Sequence, residues 1–334
     1  ESDEEFDDEG SMDEDDEGEE GLVNIDGEYV EGMDLAEGEE DIVRRFLGGG
    51  EEGGAGRGES LADIIMNKIR EKEAGAGGDA NGQGQLSPKV VEVYTAVGKM
   101  LAHYKSGKLP KALKMLPHLK NWEEVLWLTR PDQWTPSAIY ACTRIFASNL
   151  NVKMAQRFFN MVLLESCRDD IATNRKLNYH LYMALKKALF KPAAFYKGVL
   201  LPLCASRTCT LREATIFGSV IAKVSVPAIH SAAALMKLTQ MPYSGSNSMF
   251  IRILLSKKYA LPRRVLAALV EHFYSFIDEK RELPVVWHQA LLVFAQRYKL
   301  DLDDTQKHSL RDLVRVQNHH LITAEVRREL FGRD

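Results

Sequence analysis

Apolar residues recur at helical spacing through most of the chain after residue 87. In residues 177–226 each apolar stretch has one face of leucine, alanine, valine and aromatic side chains, with lysines and arginines elsewhere. This period of three to four residues is typical of amphipathic helices, and it predicts three of them in a row here. We find no sustained two-residue alternation and no hairpin turn pair, so strands are not expected. The pattern predicts an all-α fold.

Proline marks the starts of several predicted helices. Ser87-Pro88 and Thr135-Pro136 place a capping side chain directly before the proline, which is a strong start signal. Val226-Pro227, Leu261-Pro262 and Leu283-Pro284 recur later in the chain with similar surroundings. Because proline lacks an N–H and has a fixed φ, it is tolerated in the first turn of a helix and not inside it. We therefore expect a helix to begin at each of these sites.

The spacing of these prolines indicates a repeat. Pro192, Pro227 and Pro262 are separated by 35 residues each time, which is the length of one helix pair. The consensus residues of tetratricopeptide and ankyrin repeats are missing. The chain is therefore predicted to form a HEAT-like stacked helical array, an α-solenoid, over residues 87–334.

Other segments of this array are predicted in less regular form. The first helix should end near Gly107, and residues 109–130 should form two short pieces in which Trp122 and Trp127 supply bulky packing. Residues 151–174 fit either one long helix or two helices that break near Asp169. Two further helices are expected at the end of the chain. Their last member is predicted to begin at a Thr323 cap and to end at Gly332.

Composition divides the chain at the start of the array. Residues 1–86 contain 29 Asp and Glu against 6 Lys and Arg, a net charge of −23, whereas residues 87–334 carry 37 bases and 19 acids, a net charge of +18. Glycine is concentrated before residue 87, and every proline lies after it. Such an acidic, glycine-rich segment buries too little apolar surface to offset chain entropy. We predict an acidic disordered tail over 1–59 and a glycine-rich linker over 74–86.

A short amphipathic stretch lies between these two segments. In residues 60–73, Ser60 can cap a helix whose apolar face would carry Leu61, Ile64, Ile65 and Ile69. A helix of this length is marginal alone. We therefore interpret it as a docking helix that folds against its own body or against a partner.

The sequence offers no catalytic or cofactor-binding pattern. Cys204 and Cys209 lack a second pair and well-spaced histidines, so the four cysteines are interpreted as buried free thiols and no metal site is predicted. The glycine-rich segments are acidic and follow no strand, which argues against a phosphate loop. His319-His320 is interpreted as a solvated or capping doublet. Without a catalytic or cofactor-binding pattern, an enzyme is not expected. No apolar run reaches the length of a membrane helix, so a membrane partner is not expected either.

The basic excess after residue 87 points instead to a polyanionic partner. Each local cluster alone is compatible with a solvated helical face, but together they match the footprint of a phosphate-backbone binder. Nearby aromatic residues (Phe190, Phe195, Tyr196 and Tyr259) have core spacing and are predicted to serve packing rather than base stacking. The candidate surface for RNA or partner binding consists of Lys186, Lys187, Lys191, Lys197, Lys257, Lys258, Arg263 and Arg264.

The body contains the long strings ACTRIFASNL, LNYHLYMALKKALFKPAAFYKGVLLPLCASRTCTLREA, GSVIAKVSVPAIHSAAAL, MPYSGSNSMFIRILLSKKYALP and LPVVWHQALLVFAQRYK. These strings resemble the bystin family of eukaryotic ribosome-assembly factors. SLADIIMNKIREK is similar to the short motif that precedes the bystin body. The resemblance runs from about residue 60 to residue 332, and the acidic N-terminal segment lies outside it.

The resemblance implies a function that composition alone does not. Proteins of this family associate with precursors of the small ribosomal subunit in the nucleolus, the nucleus and later the cytoplasm, and are needed for maturation of small-subunit rRNA. They bind pre-rRNA, small-subunit ribosomal proteins and other assembly factors, without a known enzymatic activity or cofactor. Some animal members are linked to a cell-adhesion complex, so a protein-only adaptor is the alternative. The family has no short binding signature to transfer residue by residue.

Overall fold

The structure is a computed structural model that describes residues 87–332. The acidic tail, docking helix and linker predicted for 1–59, 60–73 and 74–86 lie outside the described residues. Within 87–332 the chain forms helices and short joints, without a strand. The predicted all-α class and the predicted helical array are therefore confirmed.

A group of short helices precedes the regular part of the array. Trp122 is buried at 3% exposure, but Trp127 is 51% exposed, so the packing role predicted for both tryptophans holds only for Trp122. The first helix ends at His103, four residues before Gly107, where the predicted end was placed. The elements are α1 (Pro88–His103), α2 (Lys111–Met115), a 3₁₀ turn (Leu116–His118), α3 (Trp122–Leu128) and a second 3₁₀ turn (Pro131–Gln133).

Beyond Thr135 the helices alternate between two layers, and each packs mainly against the neighbouring members of its own layer. The first layer contains α4 (Pro136–Asn149), α7 (Tyr179–Ala188), α10 (Leu211–Lys223), α12 (Gly245–Ser256), α14 (Val285–Tyr298) and α16 (Ile322–Phe331). The second layer contains α5 (Val152–Phe158), α6 (Glu165–Asn174), α8 (Pro192–Phe195), α9 (Leu201–Ala205), α11 (Ala228–Thr239), α13 (Arg263–Tyr274) and α15 (Asp304–Val316). This is the stacking of helix pairs expected of a solenoid.

The 35-residue proline spacing corresponds to one step along the second layer. Pro192 is the first residue of α8, and Pro227 and Pro262 are the residues that cap α11 and α13. Each proline therefore opens a second-layer helix, and the predicted period is confirmed. Pro284, by contrast, opens a first-layer helix.

Two second-layer rods contain π-helical turns. The first rod runs without interruption from α5 through the turn Phe159–Leu164 into α6, so the alternative of a break near Asp169 is wrong. In the second rod, the π turn Tyr196–Leu200 lies between α8 and α9. The two π turns pack against each other, with Asn160 Nδ2 donating to the carbonyl oxygen of Gly198 at 3.1 Å. Irregular helical turns thus occur where the two rods contact each other.

The ends of the array show two capping arrangements. Thr135 Oγ1 accepts a hydrogen bond from the Ala138 N–H at 3.2 Å and caps α4 as predicted. The cap predicted at Thr323 is wrong, because α16 already begins at Ile322 and the Thr323 hydroxyl instead accepts the N–H of His319 at 2.8 Å. His319 Nδ1 in turn accepts the N–H of Ile322 at 3.3 Å, which is the capping role expected of the histidine doublet. Gly332 ends the helix, as predicted.

All four cysteines are free, as predicted, but the predicted burial holds for three of them. Cys142, Cys167 and Cys204 are buried and Cys209 is half-buried, and all four are free thiols. Burial raises the pKa of each buried thiol well above its usual range, and it raises the pKa of Cys209 to about 11. These thiols are therefore held protonated and behave as small apolar side chains.

Among the described helices, none is by itself both long and apolar enough to cross a bilayer. One pair, Tyr179–Ala188 with Pro192–Ala205, reaches the required length and apolar character when taken together. Its two parts are bent by 119° relative to each other.

Lysine side chains tie neighbouring repeats together through helix ends. Lys257 Nζ donates to the carbonyl oxygens of Ile221 at 2.8 Å, Ala222 at 3.1 Å and Val224 at 2.8 Å, at the end of α10. Lys191 Nζ donates in the same way to the carbonyl of Leu150 at the end of α4. The last carbonyls of a helix lack intrahelical partners and form the negative end of its dipole, so an ammonium group stabilises them. Each lysine follows one first-layer helix and caps the first-layer helix before it.

We expect Gly198→Ala to destabilise the array. A Cβ atom at this position would lie 2.5 Å from the carbonyl oxygen of Gln156, and backbone cannot yield as a flexible side chain does. Overpacking of this kind costs about 1–3 kcal/mol, measurable by denaturant or thermal unfolding. Gly245→Ala is the matched control, since its Cβ would meet only Leu211 Cδ2 at 4.0 Å. Equal stability of the two variants would contradict the proposed close approach.

We expect Lys257→Met to lower the free energy of unfolding by about 1.5–3 kcal/mol, because three carbonyls at the end of α10 lose a charged donor. Methionine retains the apolar stem, so the loss reports on the ammonium group. Lys258→Met is the control, since that side chain is exposed and makes no hydrogen bond with a described residue. A loss for Lys258→Met as large as that for Lys257→Met would argue against the capping role.

Candidate nucleic-acid interface

Seven of the eight predicted basic residues lie at the joints or in the adjoining turns along one edge of the solenoid, and Lys197 lies one turn further into its rod, in the π turn Tyr196–Leu200. Successive helices run in opposite directions, so the ends of first-layer helices and the starts of second-layer helices meet at the same edge. We call this the basic edge, and define it by the joints 150–151, 189–191, 224–227 and 257–262 with their flanking turns. It includes Lys186, Lys187, Lys191, Lys197, Lys257, Lys258, Arg263 and Arg264.

Hydrogen bonds join two pairs of successive joints along this edge. Lys191 binds the carbonyl of Leu150 and so connects the joint 189–191 to the joint 150–151. The N–H of Val226 donates to the hydroxyl of Tyr259 at 3.0 Å and connects the joint 224–227 to the joint 257–262. In each pair, residues far apart in sequence are therefore held side by side.

The eight candidates do not all present a free cation. Lys191 and Lys257 are half-buried, and their ammonium groups donate hydrogen bonds to carbonyl oxygens at helix ends. Burial also lowers the pKa of Lys191. The side chains of the other six candidates make no ion pair or hydrogen bond with the described residues, and Lys187 has a cation–π contact with Phe190. Those that are also exposed are Lys197, Lys258, Arg263 and Arg264. These four are the side chains best placed to meet phosphate groups, and Lys186 is partly exposed beside them.

The electrostatic surroundings of the edge are one-sided. Residues 171–270 contain fifteen Lys and Arg and a single acid, Glu213. Glu213 is buried, accepts from Arg168 Nε at 2.8 Å and from the N–H of Thr210 at 2.7 Å, and forms the capping box of α10. Burial opposes its ionisation, but these hydrogen bonds outweigh burial and hold its pKa below the usual value. No acid of this hundred-residue stretch therefore faces solvent.

The aromatic residues beside the bases were predicted to pack, and one does not. Phe195 and Tyr196 are buried, and Tyr259 is half-buried with its carbonyl accepting the hydroxyl of Tyr298 at 2.9 Å. Phe190 is 73% exposed, so the prediction for this residue is wrong. It follows the last turn of α7, where helical spacing no longer determines which side chains point inward. The Lys187 ammonium lies over its ring, 3.9 Å from the centroid.

A second basic feature lies at the opposite edge and was not assigned from the sequence. It is an open groove of about 580 Å³ between the joint 175–178 and α10, and we call it the basic groove. Arg212 Nη1 donates to the carbonyl of Arg175 at 2.8 Å, which fixes the joint against the helix, and Leu211 at its rim is 60% exposed. The groove is lined by Arg175, Lys176, Leu177, Tyr182, Leu211, Arg212, Thr215, Ile216 and Ser219.

The groove combines cations with apolar side chains, and no acid lines it. The adjacent pair Arg175-Lys176 was the available sequence signal. The position of Arg175 beside Arg212, 37 residues away along the chain, depends on the stacking of repeats. Within the described part of the chain, no three His, Cys, Asp or Glu side chains are grouped to hold a metal ion. The two basic features can hold phosphate or carboxylate groups by charge-assisted hydrogen bonds.

Comparison with known proteins gives one consistent family. The family model described as Bystin matches residues 55–334. The chain is 57% identical over 276 residues to Bystin from Homo sapiens and 56% identical over 273 residues to Bystin from Monosiga brevicollis, in each case over 81% of this chain. An uncharacterized protein from Schizosaccharomyces pombe is 50% identical over 325 residues, covering 94% of this chain and 72% of the relative.

The aligned part of the human relative is 63% of that protein's length, and that of the Monosiga relative is 66%. The family match includes the whole two-layer array and both basic features. It also includes the predicted docking segment 60–73. The long sequence strings, the helical array and these alignments agree, and the chain belongs to the bystin family.

Proposed function

We propose that this protein is a non-catalytic ribosome biogenesis factor that binds pre-rRNA and proteins in precursors of the small ribosomal subunit. In this role it is required for small-subunit rRNA processing and maturation. Membership in the bystin family, together with what the resemblance implies, supports the association with the small-subunit precursor particle. The observation that carries the RNA contact is the basic edge, in a stretch of one hundred residues whose only acid is buried.

The geometry of the array suits a phosphate backbone. Packed helices lie about 8–10 Å apart, so successive joints present cations in a row rather than at one point. Lys197, Lys258, Arg263 and Arg264 can each approach a phosphate without first breaking an ion pair with a described residue. Binding that neutralises several phosphates releases counterions and is therefore steeply dependent on salt.

The basic groove suits a different partner. Its cations and its apolar floor of Leu177, Tyr182 and Ile216 match a protein segment that carries acidic and apolar side chains together. Ribosomal proteins and other assembly factors are the protein partners proposed for it. A rigid two-layer array has two long edges, so RNA and a partner peptide can be held at the same time.

In this proposal the mechanism is placement. The array holds immature rRNA and a partner in a fixed relation and blocks premature contacts, without forming or breaking a covalent bond. We propose that it acts in the nucleolus and nucleus and passes to the cytoplasm on the precursor particle. The competing proposal, an adaptor in a cell-adhesion or cytoskeletal complex, predicts binding that depends little on salt.

Reversing two cations of the basic edge, Lys258→Glu with Arg264→Glu, should weaken RNA binding at least tenfold in about 0.1 M salt, because two phosphate contacts become repulsive. The plot of log affinity against log salt should also become shallower by about 0.7 for each lost contact to a single strand. Fluorescence anisotropy with a labelled RNA at several salt concentrations measures both quantities. The matched control is Lys237→Glu with Lys280→Glu, which changes the net charge equally at the opposite edge. If both pairs weaken binding to the same extent, net charge rather than the basic edge determines affinity.

Depletion of the protein from its source cells should cause precursors of small-subunit rRNA to accumulate, and re-expression of the wild-type chain should restore them. Northern hybridisation to the precursor species measures this. Normal precursor levels after depletion would contradict the proposed function.

Photo-crosslinking from single positions tests the two edges separately. A photoreactive residue in place of Ile229, 73% exposed at the basic edge, should crosslink rRNA in the purified particle. The same residue in place of Leu211 should crosslink protein. If both positions crosslink only protein, the proposed RNA contact is contradicted and the protein-only adaptor is the proposal that remains.

A further inference from the structure

Phe190 is an exposed aromatic side chain held on a fixed backbone. The residue before it, Leu189, is buried at 2% exposure, and the residue after it, Lys191, is tied to the carbonyl of Leu150. Its own N–H donates to the carbonyl of Lys187 at 3.1 Å. The ring is therefore presented from the basic edge at a defined position while 73% of the residue remains in contact with solvent.

A single exposed apolar side chain is ordinary, but the surroundings of this one are specific. The Lys187 ammonium lies 3.9 Å from the ring centroid, within cation–π distance, and covers one face. Exposed lysines lie at both neighbouring joints of the basic edge. Lys153 follows the joint 150–151, and Lys223 precedes the joint 224–227. No acid of residues 171–270 faces solvent, so a ligand that reaches this ring enters a field of positive charge.

We propose that Phe190 is a stacking platform for an unpaired nucleobase of the bound RNA. The inference rests on the proposed function and deepens it, because it names the class of RNA as single-stranded. A base stacks on the open face of the ring while flanking phosphates bind the exposed bases of the edge. Any nucleobase has a π face, so this contact adds affinity without demanding a sequence. The bases of a duplex are already stacked on each other and cannot use it.

The test compares two RNA probes on the full chain. One is a labelled single-stranded oligonucleotide of about 12 nucleotides, and the other is a labelled duplex of equal length. Phe190→Leu, which keeps an apolar side chain but removes the ring, should weaken single-strand binding roughly 5- to 100-fold. Duplex affinity and the salt dependence of both probes should stay unchanged, because no cation is lost.

Two further variants separate stacking from other roles. Phe190→Trp should bind the single strand at least as tightly as the wild type, and its added indole fluorescence should be quenched by the RNA. Tyr179→Leu is the matched aromatic control, since Tyr179 is 67% exposed but lies at the opposite edge, and it should bind as the wild type does.

The outcomes distinguish this inference from the function on which it rests. If the wild type binds RNA with steep salt dependence and Phe190→Leu binds equally well, the stacking platform is overturned and the proposed RNA contact stands. Equal weakening of single-strand and duplex binding by Phe190→Leu would also overturn it, because a duplex offers no unpaired base to stack on the ring. If the wild type binds neither probe, the RNA contact and the platform both fail.

Discussion

Each helix pair of this array is incomplete until the next pair packs against it. One pair cannot bury its apolar face alone, and the carbonyls at the ends of its helices have no partners within the pair. The following repeat supplies both, as Lys257 does for the end of α10. The backbone at Gly198 meets the backbone at Gln156 for the same reason, since two rods must approach closely to close the layer. Stability and shape therefore depend on contacts between repeats.

This dependence also determines where chemistry can occur. The helices use their apolar faces on each other, so the joints and flanking turns remain to meet other molecules. Two lysines of the basic edge, Lys191 and Lys257, donate to carbonyls at the end of the preceding first-layer helix and hold neighbouring joints together. These contacts fix the position of the residues next to them. The structural cations Lys191 and Lys257 thus organise the free cations Lys197, Lys258, Arg263 and Arg264.

A surface with so little negative charge carries an energetic cost, because like charges repel across it. Burial of Glu213 in a capping box with Arg168 makes the imbalance greater at the surface, since the one local acid is already paired. A polyanion bound along the edge would remove that repulsion. The same chain carries its own excess of acids in residues 1–86, which hold 29 acids against 6 bases and lie outside the described residues.

The sequence by itself determined the all-α class, the 35-residue period and most helix starts, because proline and apolar periodicity act over a few residues. It also identified the eight bases of the edge. Only the tertiary structure decided which of them are free, because the carbonyls bound by Lys191 and Lys257 lie about one repeat away. The exposure of Phe190 and the meeting of Arg175 with Arg212 likewise depend on packing between repeats. Local patterns do not encode such long-range contacts. For this reason the sequence predicted a packing role for both Trp122 and Trp127, although only Trp122 is buried.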